Sequence, residues 1–140
     1  MKTVVFACVH NAGRSQMAAA FFNRLAGATG VRAVSAGTAP GDHVYPEVVT
    51  AMKEAGIDLS GARPRKLSLE LSREASLLVT MGCGEECPYV PGLRTEDWPL
   101  EDPREKPLSR VREIRDEVRR RVEDLLEREP WSSGVGEPRR

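Results

Sequence analysis

The sequence predicts an α/β sandwich with a mainly parallel sheet. Three observations lead there. Strand and helix patterns alternate along the chain, which is the signature of βαβ units. The strand segments are continuously apolar, as expected for strands covered on both faces. The chain has 140 residues, the length of a single domain, so residues 1–140 are read as one unit.

Lys2–Ala7 reads as the first strand, because Val4, Val5 and Phe6 form an apolar run with β-branched and aromatic side chains. Ser15–Ala26 reads as a helix, with Met17, Phe21 and Leu25 four apart and Ala18 and Phe22 widening the stripe. Gly27 and Gly30 end it. Val31–Ala36 is a second strand closed by Gly37, followed by a loop with Pro40, Gly41 and Pro46. Glu47–Ala55 is a helix facing the core with Val48, Met52 and Ala55. Residues 60–66 are polar loop, and residues 67–73 hold one or two helical turns. Ala75–Met81 is a third strand, residues 82–92 are irregular, and Arg94–Trp98 is a short fourth strand. After a polar loop, Arg110–Glu129 is the strongest helix. Val111, Ile114, Val118, Val122 and Leu125 step by three or four, and the other face is a solvated mixture of both charge signs. Residues 130–140 have no periodicity and are expected to be a flexible tail.

Composition narrows the function. Lys plus Arg number 21 and Asp plus Glu 21, so the net charge is zero. That argues against a nucleic-acid partner, which calls for a basic excess. The apolar run Thr3–Val9 is too short to span a bilayer and lacks the pattern of a signal peptide, so no membrane association is expected. Three cysteines, an odd number, suit a reducing compartment, and a cytoplasmic protein is expected.

In an open parallel sheet, ligands bind at the carboxyl ends of strands. The segment after the first strand is Cys8, Val9, His10, Asn11, Ala12, Gly13, Arg14 and Ser15. A loop of this length can curl its backbone N–H groups inward around an anion, and the following helix adds its positive end. Arg14 can grip two oxygens of a tetrahedral oxyanion at once. Ala12 and Gly13 permit tight curvature. Asn11 tolerates left-handed angles and can tie the loop with its amide. The same field favours the thiolate of Cys8, and the Ser15 hydroxyl can donate to it. A bare Cys and Arg six apart is common, and alone would make Cys8 a buried strand end and Arg14 a surface cation. The preceding strand, the following helix and the loop composition favour the anion site. His10 is expected to contribute backbone only.

The segment Cys8–Met17 resembles the active-site loop of the low-molecular-weight protein tyrosine phosphatase fold, and more closely the arsenate reductases built on it. The likeness continues through Ser35–Gly37, Ala51–Glu54, Gly56–Ser60, Val79–Thr80, Cys87–Pro88, Trp98, Asp102–Pro103 and Arg110–Arg115. It implies a three-layer sandwich, with a four-stranded parallel sheet and helices on both faces. Taken alone, Asp102 before Pro103 is a turn former. The resemblance implies that it overhangs the anion site as a general acid, which a departing oxygen requires.

Three roles are open to Cys83 and Cys87: inert small hydrophobes, zinc ligands, or redox partners of Cys8. A structural zinc site wants four ligands, and only His10 and His43 remain, so no metal or cofactor is expected. The redox role has chemical logic. Arsenate attached to Cys8 is reduced when Cys83 attacks the Cys8 sulfur, and Cys87 then takes over the disulfide. By resemblance, thioredoxin or a glutaredoxin is the external reductant. Tyrosine phosphatases of this fold follow Asp-Pro with tyrosines, whereas Arg104 and Glu105 stand here. A small oxyanion of the arsenate or phosphate type is therefore the expected substrate, with weak phosphatase activity alongside. The alternatives are a small tyrosine phosphatase with redox-protective cysteines and a non-enzymatic oxyanion sensor. Relatives that hold potassium carry an acidic residue in the first helix. Ala18, Ala19 and Ala20 stand in that region here, so no such ion is expected. A monomer is expected.

Overall fold

The first strand, β1 (Lys2–Cys8), is the buried axis of the sheet. Its side chains alternate between two cores, as a period of two requires. Val4, Phe6 and Cys8 face the larger core, and Val5 and Ala7 face the smaller one. The computed structural model describes residues 2–27, 29–82 and 91–129. Cys83, Cys87 and the 130–140 tail lie outside the described residues.

After β1 come α1 (Arg14–Ala26), β2 (Val31–Gly37), α2 (Pro46–Glu54), α3 (Leu69–Arg73), β3 (Leu77–Thr80), β4 (Thr95–Asp97) and α4 (Leu108–Arg128). The four strands are all parallel, in the order β2-β1-β3-β4. Cys8 pairs with Gly37, and Ala7 lies between Ala36 and Thr80. The carboxyl ends of β1, β2 and β3 therefore lie side by side.

Helices lie on both faces, but unequally. α1, α2 and α4 bury Met17, Phe21, Phe22, Val48, Met52, Val111, Ile114, Val118, Val122 and Leu125 against the larger core. The smaller core is Val5, Ala7, Ala36, Leu67 and Leu78, with Leu71 of α3 packed on it. Phe6 meets Phe22 edge-on at 6.0 Å between centroids and Trp98 at 5.5 Å. Asn23 on α1 clamps β2, donating to Ala33 O and accepting from Ala33 N at 3.0 and 2.8 Å.

The differences from the sequence reading have local causes. Leu25, placed in the α1 stripe, is 38% exposed, because the buried face at the end of the helix passes through Phe22 and Ala26 instead. β3 begins at Leu77 rather than Ala75, since Ala75 N turns back to Ser72 O. α4 begins two residues early, at Leu108, with Pro107 at its N-cap.

Candidate active site

The loop between β1 and α1 is explained by asking where its backbone hydrogen bonds go. Every carbonyl from Val9 to Gly13 is satisfied by surrounding protein. Val9 O accepts from Ala39 N at 2.8 Å, His10 O from Gly41 N at 2.9 Å, and Ala12 O from Tyr45 N at 3.0 Å. Gly13 O accepts from Met17 N at 3.0 Å, and Asn11 O from Gln16 Nε2 at 3.0 Å. The N–H groups of residues 10–13 have no acceptor among the described residues. With its carbonyls turned outward and its amides unspent, the loop is built to take an anion. The first turn of α1 adds further free N–H groups and the positive end of the helix dipole.

Asn11 holds this shape. It is fully buried, and its φ of 52° lies in the left-handed region that asparagine tolerates. Its Oδ1 accepts from Arg65 N at 2.9 Å, and its Nδ2 donates to Ser15 Oγ at 2.7 Å. That second bond orients Ser15. With the hydroxyl oxygen accepting from Asn11, its proton is free for Cys8 Sγ, 2.9 Å away. Cys8 is 2% exposed and is a free thiol. His10 takes part in this loop through its carbonyl, which accepts from Gly41 N.

Gly37, paired with Cys8, is fixed by packing. A Cβ there would lie 2.5 Å from Val9 O and 3.0 Å from Asn11 N. Sequence reading saw only a strand terminator at this position.

Arg14 is 7% exposed. One terminal nitrogen donates to Leu100 O at 2.9 Å, and the other lies 3.6 Å from Asp102 Oδ2. Its Nε is buried with no hydrogen-bond partner among the described residues. Gly82, at φ +92°, packs so closely that a Cβ would fall 2.6 Å from Arg14 NH1. Asp102 accepts from Arg104 N at 3.0 Å through its other oxygen. Pro103 covers the loop: a Cβ on Gly13 would meet Pro103 Cγ at 2.7 Å and Tyr45 Cδ2 at 3.4 Å. The Asp-Pro segment thus overhangs the anion loop and places a carboxyl beside its arginine.

Tyr45 is the site residue that sequence reading missed. Its phenol is pushed above its ordinary value, first by burial and then by the charge of Asp102. It stays neutral and gives the opening one aromatic edge, where the sequence reading expected none. The only signal available was its place just before the Pro46 that starts α2. Among the described residues, no cluster of three or more His, Cys, Asp or Glu could hold a metal. No described helix is long and apolar enough to cross a membrane.

These features define an α/β protein with a cysteine at the floor of an amide-lined loop. The chain belongs to the low molecular weight phosphotyrosine protein phosphatase family, whose sequence model matches residues 3–130. It is 40% identical over 126 residues to a putative arsenate reductase of Halobacterium salinarum, covering 87% of this chain and 89% of that one. It is 36% identical to a glutaredoxin arsenate reductase of Synechocystis, covering 90% and 97%. The structure of a thioredoxin-dependent arsenate reductase of Corynebacterium glutamicum superposes with a TM-score of 0.78 at 38% identity. That match covers 91% of this chain and 61% of the Corynebacterium chain.

Proposed function

We propose that this protein is an arsenate reductase that uses Cys8 as nucleophile and passes oxidation through Cys83 and Cys87. The observation that carries the reading is the buried Cys8 sulfur, 2.9 Å from Ser15 Oγ, at the base of a loop whose N–H groups at residues 10–13 have no acceptor among the described residues.

Arsenate binds with its oxygens on the N–H groups of residues 9–15 and on Arg14, whose unpartnered Nε supplies a donor. The Cys8 thiolate attacks arsenic. Protonated Asp102 gives its proton to the departing oxygen, which leaves as water. The Cys83 thiolate then attacks Cys8 Sγ. The sulfur–arsenic bond breaks, its electron pair stays on arsenic, and arsenite leaves with a Cys8–Cys83 disulfide behind. Cys87 attacks Cys83, freeing the Cys8 thiolate and forming a Cys83–Cys87 disulfide. An external dithiol protein reduces that disulfide and is itself oxidised. Two electrons enter and one arsenate is reduced per cycle. The relatives that couple to thioredoxin or glutaredoxin support this last step. Phosphate esters fit the same loop and acid, so weak phosphatase turnover accompanies reduction. A cytoplasmic location supplies the reducing pool.

The test is arsenite release in the presence of a dithiol system. Cys83→Ser is expected to abolish arsenite production yet keep phosphate-ester hydrolysis, whereas Cys8→Ser abolishes both. Unchanged arsenate turnover in Cys83→Ser would refute the relay.

A further inference from the structure

The net charge of zero hides an uneven distribution. All seven arginines of α4 are paired with carboxylates. Arg110 is held by Glu101 and Glu113, Arg112 by Glu54, and Arg128 by Glu96 and Asp124. That surface presents little net field. At the carboxyl end of the sheet the balance differs. Arg63, Arg65 and Lys66 fall within four residues, and all three are exposed. None has a carboxylate partner among the described residues, and the Lys66 ammonium is bound only to Thr38 O, at 2.7 Å. Asp58, the nearest acid before them in sequence, accepts from Ser60 N and feels the charge of Lys53. Arg104 adds an exposed cation beside Asp102.

The backbone of this basic segment is fastened to the anion loop. Arg65 N donates to Asn11 Oδ1, and Arg63 O accepts from Gln16 Nε2 at 3.2 Å. Gly37 N donates to Arg65 O at 2.9 Å, and Leu67 N to Gly37 O at 2.8 Å. The cations are thus carried on a fixed ledge at the end of β2.

β2 and β3 are separated only by β1. With strands about 4.8 Å apart, their ends lie about 10 Å from each other. In the sequence, Cys83 follows Thr80, the last residue of β3, by three positions. A protein interface of ordinary size covers about 800 Å² per partner, a patch about 30 Å across. A patch of that size centred on the end of β3 reaches the ledge at the end of β2.

We infer that Arg63, Arg65 and Lys66 form the docking surface for the electron donor, a dithiol protein whose reactive pair is rimmed by carboxylates. This inference rests on the proposed function and deepens it. A small dithiol has no use for such a surface. A protein partner gains steering and orientation from opposite charges at the rim, which act mainly on association.

The experiment compares reductants. Arsenite production by the unsubstituted chain and by the Arg63→Glu, Arg65→Glu double variant is measured with an acidic thioredoxin and, separately, with dithiothreitol. The exposed side chains hold none of the loop's bonds, since Arg63 and Arg65 act there through backbone atoms. The KM for thioredoxin is expected to rise about tenfold in the variant with kcat at saturation unchanged. Turnover with dithiothreitol and the KM for arsenate should not move. Added salt should raise the thioredoxin KM of the unsubstituted chain and have little effect in the variant. An unmoved thioredoxin KM, or an equal loss with both reductants, overturns the inference while leaving the reductase reading intact. A raised arsenate KM with dithiothreitol overturns it in favour of substrate steering. No arsenite from the unsubstituted chain with either reductant removes the reading and the inference together. Should the double reversal not fold, Arg63→Gln with Arg65→Gln and the salt titration give the same discrimination.

Discussion

α4 and the loop of residues 9–15 use polar groups in opposite ways. α4 carries many charges, almost all exposed and mutually paired, over an apolar stripe that does the packing. The loop has one charged side chain, Arg14, that is almost wholly buried. Its carbonyls from Val9 to Gly13 are bonded, while the N–H groups of residues 10–13 have no acceptor among the described residues. An exposed pair gains little, because water competes for both partners. A buried amide or guanidinium without an acceptor is a standing demand for one. The place to look for chemistry is therefore where polar groups are scarce, enclosed and incompletely matched.

Four substitutions would break or sharpen this contrast. The largest effect is expected from Asp102→Asn. It keeps the bond from Arg104 N but removes the carboxyl proposed as the acid, so kcat should fall about 10²–10⁴-fold. The melting temperature should hardly change, and steady-state arsenite assays with a parallel thermal melt check both halves. Gly37→Ala comes next. The added methyl meets Val9 O and Asn11 N, and the loop must shift. About 1–3 kcal/mol of stability is expected to be lost, together with phosphate affinity, as read by urea unfolding and titration calorimetry.

Glu129 lies between the two extremes. It is 6% exposed just past α4, and its carboxyl is held below its ordinary value of 4.5, first by the hydrogen bond from Arg94. The folded form thus binds its proton less readily than the unfolded form. The resulting stability is present above about pH 4.5 and lost as pH falls through the lower folded value. Glu129→Gln should be less stable at neutral pH, with the gap closing below pH 4.5 in a pH series of melts. Arg119→Ala should do least. It removes an exposed pair with Glu123, spaced one helical turn, and a contact over the Phe21 ring. A melting shift of no more than about 2 °C is expected. A larger shift would mean that the α4 surface matters more than its exposure suggests.

The sequence disclosed what depends on neighbours in the chain. Strand alternation, the α4 stripe, the left-handed Asn11 and the Ser15-to-Cys8 bond all follow from residue type and short spacing. Contacts made by distant segments escaped it. Nothing near Gly37 reveals that Val9 O will press against it, and nothing near Gly82 announces Arg14. Tyr45 reaches the opening only because its backbone N–H bonds Ala12 O. The residues around Asp102 indicated a turn and nothing more; its place over the loop came from family resemblance, and the structure sets it 3.6 Å from Arg14. Leu25 shows the reverse error, a four-residue step that leaves the buried face, which Ala26 occupies instead.

The orphaned Nε of Arg14 has a thermodynamic consequence. A buried donor with no partner among the described residues costs on the order of 1–3 kcal/mol unless an acceptor reaches it. An oxyanion held in the loop can supply that acceptor, and part of its grip then comes from the Nε donor. The resting protein is in this sense primed, and arsenate and phosphate alike should act on it as folding ligands.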